Sequence, residues 1–131
     1  MTLQESGEMY LESIYVLSQQ STQIRAIDVC SYMGLSKPSV SRAMSILKAG
    51  GYVYSNENGF LFLTEAGLNV ATKIYEKRVT ISRIFKSLGV SKNAAEADAC
   101  RIEHIISDET FAAIKKFESE YLLKNKTEGG N

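Results

Sequence analysis

Apolar residues recur along this chain first at helical spacing, then briefly in two short β-prone runs, then at helical spacing again to near its end. Tyr10, Leu11, Ile14, Tyr15 and Leu17 form a stripe that predicts a first helix over about residues 3–19. Met9 and Glu12 lie three apart and share a different face of that helix. Taken alone, Met9 reads as a core plug and Glu12 as a solvated charge. Ile27, Val29, Cys30 and Met33 suit a short second helix with a buried face. Gly34 can take the left-handed conformation that stops it. Ser36 is a good N-cap, and Pro38 fits the first turn of the helix that follows. That third helix buries Val40, Ala43, Met44 and Leu47 and ends at Gly50-Gly51.

The order of small Cys30, three residues, Gly34, five residues and Val40 is the spacing of a helix-turn-helix. The small side chain lets two helices cross closely, glycine makes the turn, and valine packs behind the second helix. Tyr52-Val53-Tyr54 and Phe60-Leu61-Phe62-Leu63 are β-prone, and Asn56-Glu57-Asn58-Gly59 carries hairpin turn chemistry between them. A helix-turn-helix followed by a two-stranded ribbon predicts a winged helix. Thr64 then caps a long helix to about Leu88, with Leu68, Ala71, Tyr75, Ile81, Phe85 and Leu88 on a partly buried face and Gly89 as its stop. Ser91 caps an alanine-rich helix that runs through Cys100 to His104. Ser107 caps the last helix, where Asp108 and Glu109 favour the N-terminal dipole and Phe111, Ile114, Phe117 and Tyr121 are buried.

The expected fold is therefore mainly α. A winged helix-turn-helix domain over residues 1–72 precedes an all-helical dimerisation domain over 73–124, and 125–131 is a flexible polar tail. The C-terminal helices carry more apolar surface than so short a bundle can hide, which points to a homodimer.

Bulk properties narrow the setting. A chain of 131 residues, 44% of them apolar, holds one domain or two small ones. No apolar run approaches the roughly 20 residues of a membrane helix, and residues 1–8 lack a signal-peptide pattern. A cytoplasmic protein with Cys30 and Cys100 as reduced thiols is expected. Fifteen basic and fifteen acidic residues give zero formal net charge, which excludes a generally basic nucleic-acid coat. Charge is nevertheless locally positive from Arg25 to Lys48, where Arg25, Lys37, Arg42 and Lys48 face only Asp28.

That local charge falls on the third helix. Its outward positions are Lys37, Ser39, Ser41, Arg42, Ser45 and Lys48, short hydrogen-bonding groups and cations, and the candidate DNA-binding set is Ser36, Lys37, Pro38, Ser39, Ser41, Arg42 and Lys48. A helix that enters the major groove of double-stranded DNA needs small side chains for close approach and donors for base edges and phosphates. An ordinary solvated face has similar composition, but here it follows helix-turn-helix spacing. Glu57 at the wing tip does not favour phosphates.

A second constellation lies at Cys100, Glu103 and His104. On a helix these stand at i, i+3 and i+4, so a thiolate, a carboxylate and an imidazole leave one face. They can close on one transition-metal ion, with a further donor from elsewhere. They can equally be core residues, with Glu103 and His104 paired to each other or to Arg101.

Several motifs occur in a familiar order: Glu8-Met9-Tyr10-Leu11 with Ile14-Tyr15, Pro38-Ser39-Val40-Ser41, Leu63-Thr64-x-x-Gly67, and Ala99-Cys100-Arg101-Ile102-Glu103-His104 followed by Ser107-Asp108-Glu109. In these the sequence resembles the diphtheria-toxin-repressor family of iron- and manganese-dependent transcriptional repressors, over nearly its whole length. The resemblance implies a winged helix, a helical dimerisation domain and a metal bound between them. It also implies that Met9, Cys100, Glu103 and His104 are ligands, with Glu12 a further one. The family's manganese-sensing branch has aspartate at the Met9 position and glutamate at the Cys100 position, so this chain carries the softer set. Thioether and thiolate suit Fe(II), with Mn(II), Co(II), Ni(II) or Zn(II) as competitors. The second metal site common in the family falls on Arg78, Ser82 and Glu96, so it is expected to be absent, with an Arg78–Glu96 ion pair in its place. The chain resembles the short, two-domain type.

The function expected is a metal-activated repressor that binds a palindromic operator as a dimer and controls metal-homeostasis genes. Its two recognition helices would sit about 34 Å apart. The alternative is a winged-helix regulator without metal control, sensing redox state through Cys100 or a small organic ligand. An enzyme is not expected. No general base beyond the ligands and no phosphate loop are evident.

Overall fold

A computed structural model describes residues 4–123. The expected tail over 125–131, the end of the helical domain at 124 and the first residues of the N-terminal helix lie outside the described residues. In order, the elements are α1 (Glu5–Ser18), α2 (Ala26–Met33), α3 (Lys37–Ala49), β1 (Val53–Ser55), β2 (Leu61–Leu63), α4 (Glu65–Ser87), α5 (Lys92–Ile102) and α6 (Asp108–Phe117). A π-helical segment, Glu118–Leu123, continues from α6. The chain divides into two compact units, Met1–Tyr75 and Glu76–Asn131.

The first unit is a winged helix. Its core gathers Leu11 and Ile14 from α1, Val29 and Cys30 from α2, and Val40, Met44 and Leu47 from α3, closed by Val53, Leu61 and Ala71. Gly34 ends α2 with φ +68, and its N–H donates to the Cys30 carbonyl. Cys30 is a buried free thiol and serves as the small residue at this crossing. Ile27, expected to be buried, is 47% exposed, because α2 turns Val29 and Cys30 into the core with Ala26 and Met33 at its margin, and Ile27 falls outside that face.

The ribbon is antiparallel, with Val53 opposite Leu63, Tyr54 opposite Phe62 and Ser55 opposite Leu61. Tyr54 and Phe62 stack across it with ring centroids 5.2 Å apart. Asn56 Oδ1 accepts from the N–H groups of Asn58 and Phe60, and Gly59 takes φ +81. On the far edge of β2 the Leu61 N–H donates to the Ile24 carbonyl at 2.7 Å.

The Leu63-Thr64-x-x-Gly67 motif closes this unit. Thr64 Oγ1 donates to the Gly51 carbonyl at 2.6 Å and accepts from the Gly67 N–H at 3.1 Å, which caps α4. A Cβ on Gly67 would stand 2.1 Å from the Tyr52 carbonyl oxygen. Only glycine allows the helix to start this close to the ribbon.

In the second unit, Ile81, Ala99 and Phe111 are the buried centre, flanked by Phe85, Ile102 and Ile106. Ser91 and Ser107 cap α5 and α6 as expected, accepting from the N–H groups of Ala94 and Thr110. Arg83 grips Glu118 through two hydrogen bonds of 2.5 and 2.8 Å. The nearly buried Glu118 carboxyl is held below its ordinary range, chiefly by those bonds. Lys77 is buried beside Asp108 at 3.3 Å.

Three expected contributors to the buried face are bare. Leu88 is 74% exposed, Phe117 49% and Tyr121 54%. Leu68 on the N-terminal part of α4, also expected on that helix's buried face, is 43% exposed. Ile84, Phe85, Ile102, Ile106, Ile114 and Phe117 line an apolar groove of about 450 Å³. The stripe exists; among the described residues the second unit has no further element to cover it. No helix among the described residues is long and apolar enough to cross a membrane.

Candidate functional site

Helix α3 presents its face by default. Val40, Met44 and Leu47 are held in the core, so Ser36, Lys37, Pro38, Ser39, Ser41, Arg42 and Lys48 must point away, and all seven are exposed. Pro38, Arg42, Ser45 and Ala49 stand opposite the buried stripe, at the crest of the helix. Three of the four are small. Lys37, Ser41 and Lys48 lie on one flank. The helix start is closed by its own hydroxyls: Ser36 Oγ accepts from the Ser39 N–H at 3.3 Å and donates to Ser39 Oγ at 2.9 Å. Such a crest can approach a groove floor closely, with cations placed for flanking phosphates.

In the second unit the expected donors are not all on one helix. Helix α5 ends at Ile102, Glu103 is its C-cap in the right-handed helical region, and His104 lies in the turn that follows. The helix was expected to continue through His104. Beyond Ile102 the chain tightens into a turn, in which the Ile105 N–H donates three residues back to the Ile102 carbonyl at 3.0 Å. Cys100 remains within α5, half-buried and outside any disulfide. Glu103 still donates its N–H to Ala99, so it keeps helical register with Cys100.

The Glu103 carboxylate is fully buried at 0% exposure, and neither oxygen has a hydrogen-bond partner. The His104 side chain is also buried, and its Nε2 stands 3.1 Å from Glu103 Oε1 without the alignment of a hydrogen bond. Buried carboxylates without donors are costly and rare. Two donor atoms that share an ion at about 2.1 Å stand roughly 3.0–3.4 Å apart. The pair sits at the C-terminus of α5, where the helix dipole favours a cation. Imidazole, carboxylate and a nearby thiol make a donor set that fits a divalent transition ion and suits magnesium or calcium poorly.

The structure brings Glu103 and His104 together. Among the described residues it does not draw three or more His, Cys, Asp or Glu side chains into one ligating cluster. Met9 is half-buried on α1, and its carbonyl accepts from Ser13 Oγ at 2.8 Å. Glu12 is 4% exposed, so its reading as a solvated charge is overturned. It occupies an inward position of α1 beside Leu11 and Ile14. The expected Arg78–Glu96 ion pair is also replaced. Glu96 pairs with Lys86 at 3.4 Å, and Lys86 lies two turns, about 12 Å, beyond Arg78 on α4. Ser82 Oγ is buried without a hydrogen-bond partner.

One residue near α3 is legible in the sequence only as local charge. Arg25 reaches 33 positions along the chain to donate to the Asn58 carbonyl at 2.7 Å, and stacks over Phe60 at 4.4 Å. No local pattern announces such a pairing.

Comparisons with known proteins agree across both units. Residues 2–59 match the family model for the iron dependent repressor, N-terminal DNA binding domain. Residues 64–121 match the iron dependent repressor, metal binding and dimerisation domain. An uncharacterized HTH-type transcriptional regulator of Methanocaldococcus jannaschii is 30% identical over 122 residues, covering 91% of this chain and 97% of its own. The diphtheria toxin repressor of Corynebacterium diphtheriae is 29% identical over 108 residues, 82% of this chain and 48% of its own. The solved structure of the manganese regulator SloR superposes with a TM-score of 0.76 at 27% identity, covering 91% of this chain and 55% of that one. The chain thus spans about half the length of the last two.

Proposed function

Since this chain belongs to the iron-dependent repressor family, a family of metal-dependent transcriptional repressors and not of enzymes, we propose that it is a repressor whose operator binding is switched on by Fe(II), with Mn(II) as the competing activator. The observation that carries the metal is the buried Glu103 carboxylate, whose oxygens accept no hydrogen bond and whose one charged neighbour, His104 Nε2 at 3.1 Å, is itself a candidate ligand. Glu103, His104 and Cys100 hold the ion in this reading, with Met9 and, secondarily, Glu12 as donors from the first unit. The bound ion supplies positive charge to a carboxylate and a thiolate that have been taken out of water.

The protein acts as a homodimer on a palindromic operator of metal-homeostasis genes, in the cytoplasm where the DNA is. The bare apolar groove of the second unit supports the dimer, since a second copy would cover Ile114 and Phe117. Exposed Lys37, Ser41 and Lys48 serve phosphates, and Arg42 on the crest serves base edges.

The test is fluorescence anisotropy under anaerobic conditions. The duplexes are enriched by the protein from a random-sequence pool, and binding is measured with chelator, with Fe(II) and with Mn(II). Metal is expected to tighten binding about 5- to 150-fold, the usual range of allosteric coupling. Equal binding in all three conditions would remove the metal from the mechanism.

A further inference from the structure

The wing of a winged helix is useful to DNA binding only if it is held in register with the recognition helix. A two-stranded ribbon with three-residue strands does not hold itself. Within the first unit, three contacts tie this ribbon to the strand-like residues that enter α2. The Leu61 N–H donates to the Ile24 carbonyl at 2.7 Å. Arg25 Nη1 donates to the Asn58 carbonyl at 2.7 Å, at the tip of the turn. The Arg25 guanidinium lies 4.4 Å from the centroid of the Phe60 ring. Arg25 is itself fixed at the start of α2, where its N–H donates to Asp28 Oδ2 at 2.8 Å.

The tip geometry admits this contact. Asn56 closes the turn from inside, which leaves the Asn58 carbonyl facing outward for Arg25. Gly59 passes beneath the guanidinium, and a Cβ there would stand 3.4 Å from Nη1. The planar fork of arginine can stack on a ring and donate in its own plane at once, which lysine cannot do equally well.

We infer that Arg25 is a positioning residue that latches the wing tip to the helix-turn-helix, so that wing and α3 meet DNA as one rigid surface. The role goes beyond the function proposed above and rests on it for its DNA readout. It differs from the obvious alternative, in which a cation near a DNA-reading helix simply touches a phosphate.

Two measurements on the full chain separate these. Amide hydrogen exchange needs neither metal nor DNA. Arg25→Ala and Phe60→Ala are both expected to speed exchange of the Gly59 and Phe60 amides while α3 keeps its protection. DNA binding is then measured by anisotropy on the enriched duplex, with Mn(II), across a salt series. The latch joins a charge-assisted hydrogen bond to a cation–π contact at an exposed site, so its loss should lower the wing-ordered fraction and weaken binding about tenfold. Because no phosphate contact is removed, the slope of log K against log salt should stay unchanged. The two substitutions should be non-additive, since either one opens the latch. Arg25→Lys should rescue only partly.

Unchanged exchange in the wing overturns the latch. So does a salt slope lowered by about 0.9, the mark of one lost phosphate contact. Faster exchange with full DNA affinity would also overturn it, since the wing would then not be used. Should wild-type protein enrich no duplex at all, the repressor reading fails and the DNA role of the latch falls with it.

Discussion

Glu103→Gln tests the metal centre through stability, without DNA. The wild-type carboxylate is 0% exposed, and both oxygens lack hydrogen-bond donors. Leaving such a group unpaired costs about 1–3 kcal/mol in proteins. Glutamine has the same shape and no charge, and its amide N–H can donate to His104 Nε2, which stands 3.1 Å from Oε1. Without metal, the variant should therefore be more stable than wild type. Each kcal/mol moves the midpoint of a small cooperative unit by about 4–8 °C, so a rise on the order of 5–10 °C is expected. With metal the order should reverse. Wild type should gain about 2.7 kcal/mol at an ion concentration one hundred times Kd, while the variant gains little. Thermal melts by circular dichroism in chelator and in Mn(II) provide all four midpoints. A metal-free variant that melts below wild type would refute the reasoning, since the carboxylate would then be holding the fold together.

Four further outcomes follow from the same structure. Glu118 is held below its ordinary range by hydrogen bonds from Arg83, so the pair adds stability above the unfolded value of about 4.3 and loses it as pH falls through the lower folded value. Urea midpoints of wild type should drop more steeply than those of Glu118→Gln below about pH 4. Phe117→Glu places a charge on the rim of the apolar groove and should weaken self-association by about 2 kcal/mol or more, read by sedimentation velocity. Arg42 is the long donor on the crest of α3 and can bridge the two acceptors of guanine, so Arg42→Ala should erase one guanine preference per half-site at about 1–3 kcal/mol, read by sequence enrichment from a random pool. Gly67→Ala puts a Cβ 2.1 Å from a backbone oxygen and should cost about 1–3 kcal/mol in chemical denaturation.

Much of the local structure in both units was legible because its signals are local. The capping serines, the left-handed Gly34, the Asn-rich turn and the apolar stripe of α3 each act within a few residues, and each stands where its chemistry places it. What escaped is set by distant partners. Periodicity tells which side of a helix is apolar, not whether anything lies against it, so Phe117 and Tyr121 were read as buried and are bare. Taken alone, Glu12 reads as solvated because a charge normally is, and only the family resemblance singles it out, yet it sits at an inward position of α1. The end of α5 at Ile102 has no glycine or proline to announce it. The Cys100–Glu103 spacing was legible, whereas the departure of His104 from the helix was not. Lys86, two turns beyond Arg78 on α4, pairs with Glu96 instead, a choice of partner that the family resemblance does not specify.

The paired hydroxyls of Ser36 and Ser39 have an entropic consequence. Each is an exposed side chain that would ordinarily sample three rotamers and freeze on contact with a partner. Here Ser36 is spent as a cap and donor to Ser39, so both rotamers are chosen before anything docks. Ser39 accepts from Ser36 and keeps its own proton to give. Binding at the first turn of α3 thus begins from a surface that is already ordered, and the freezing cost has been met during folding.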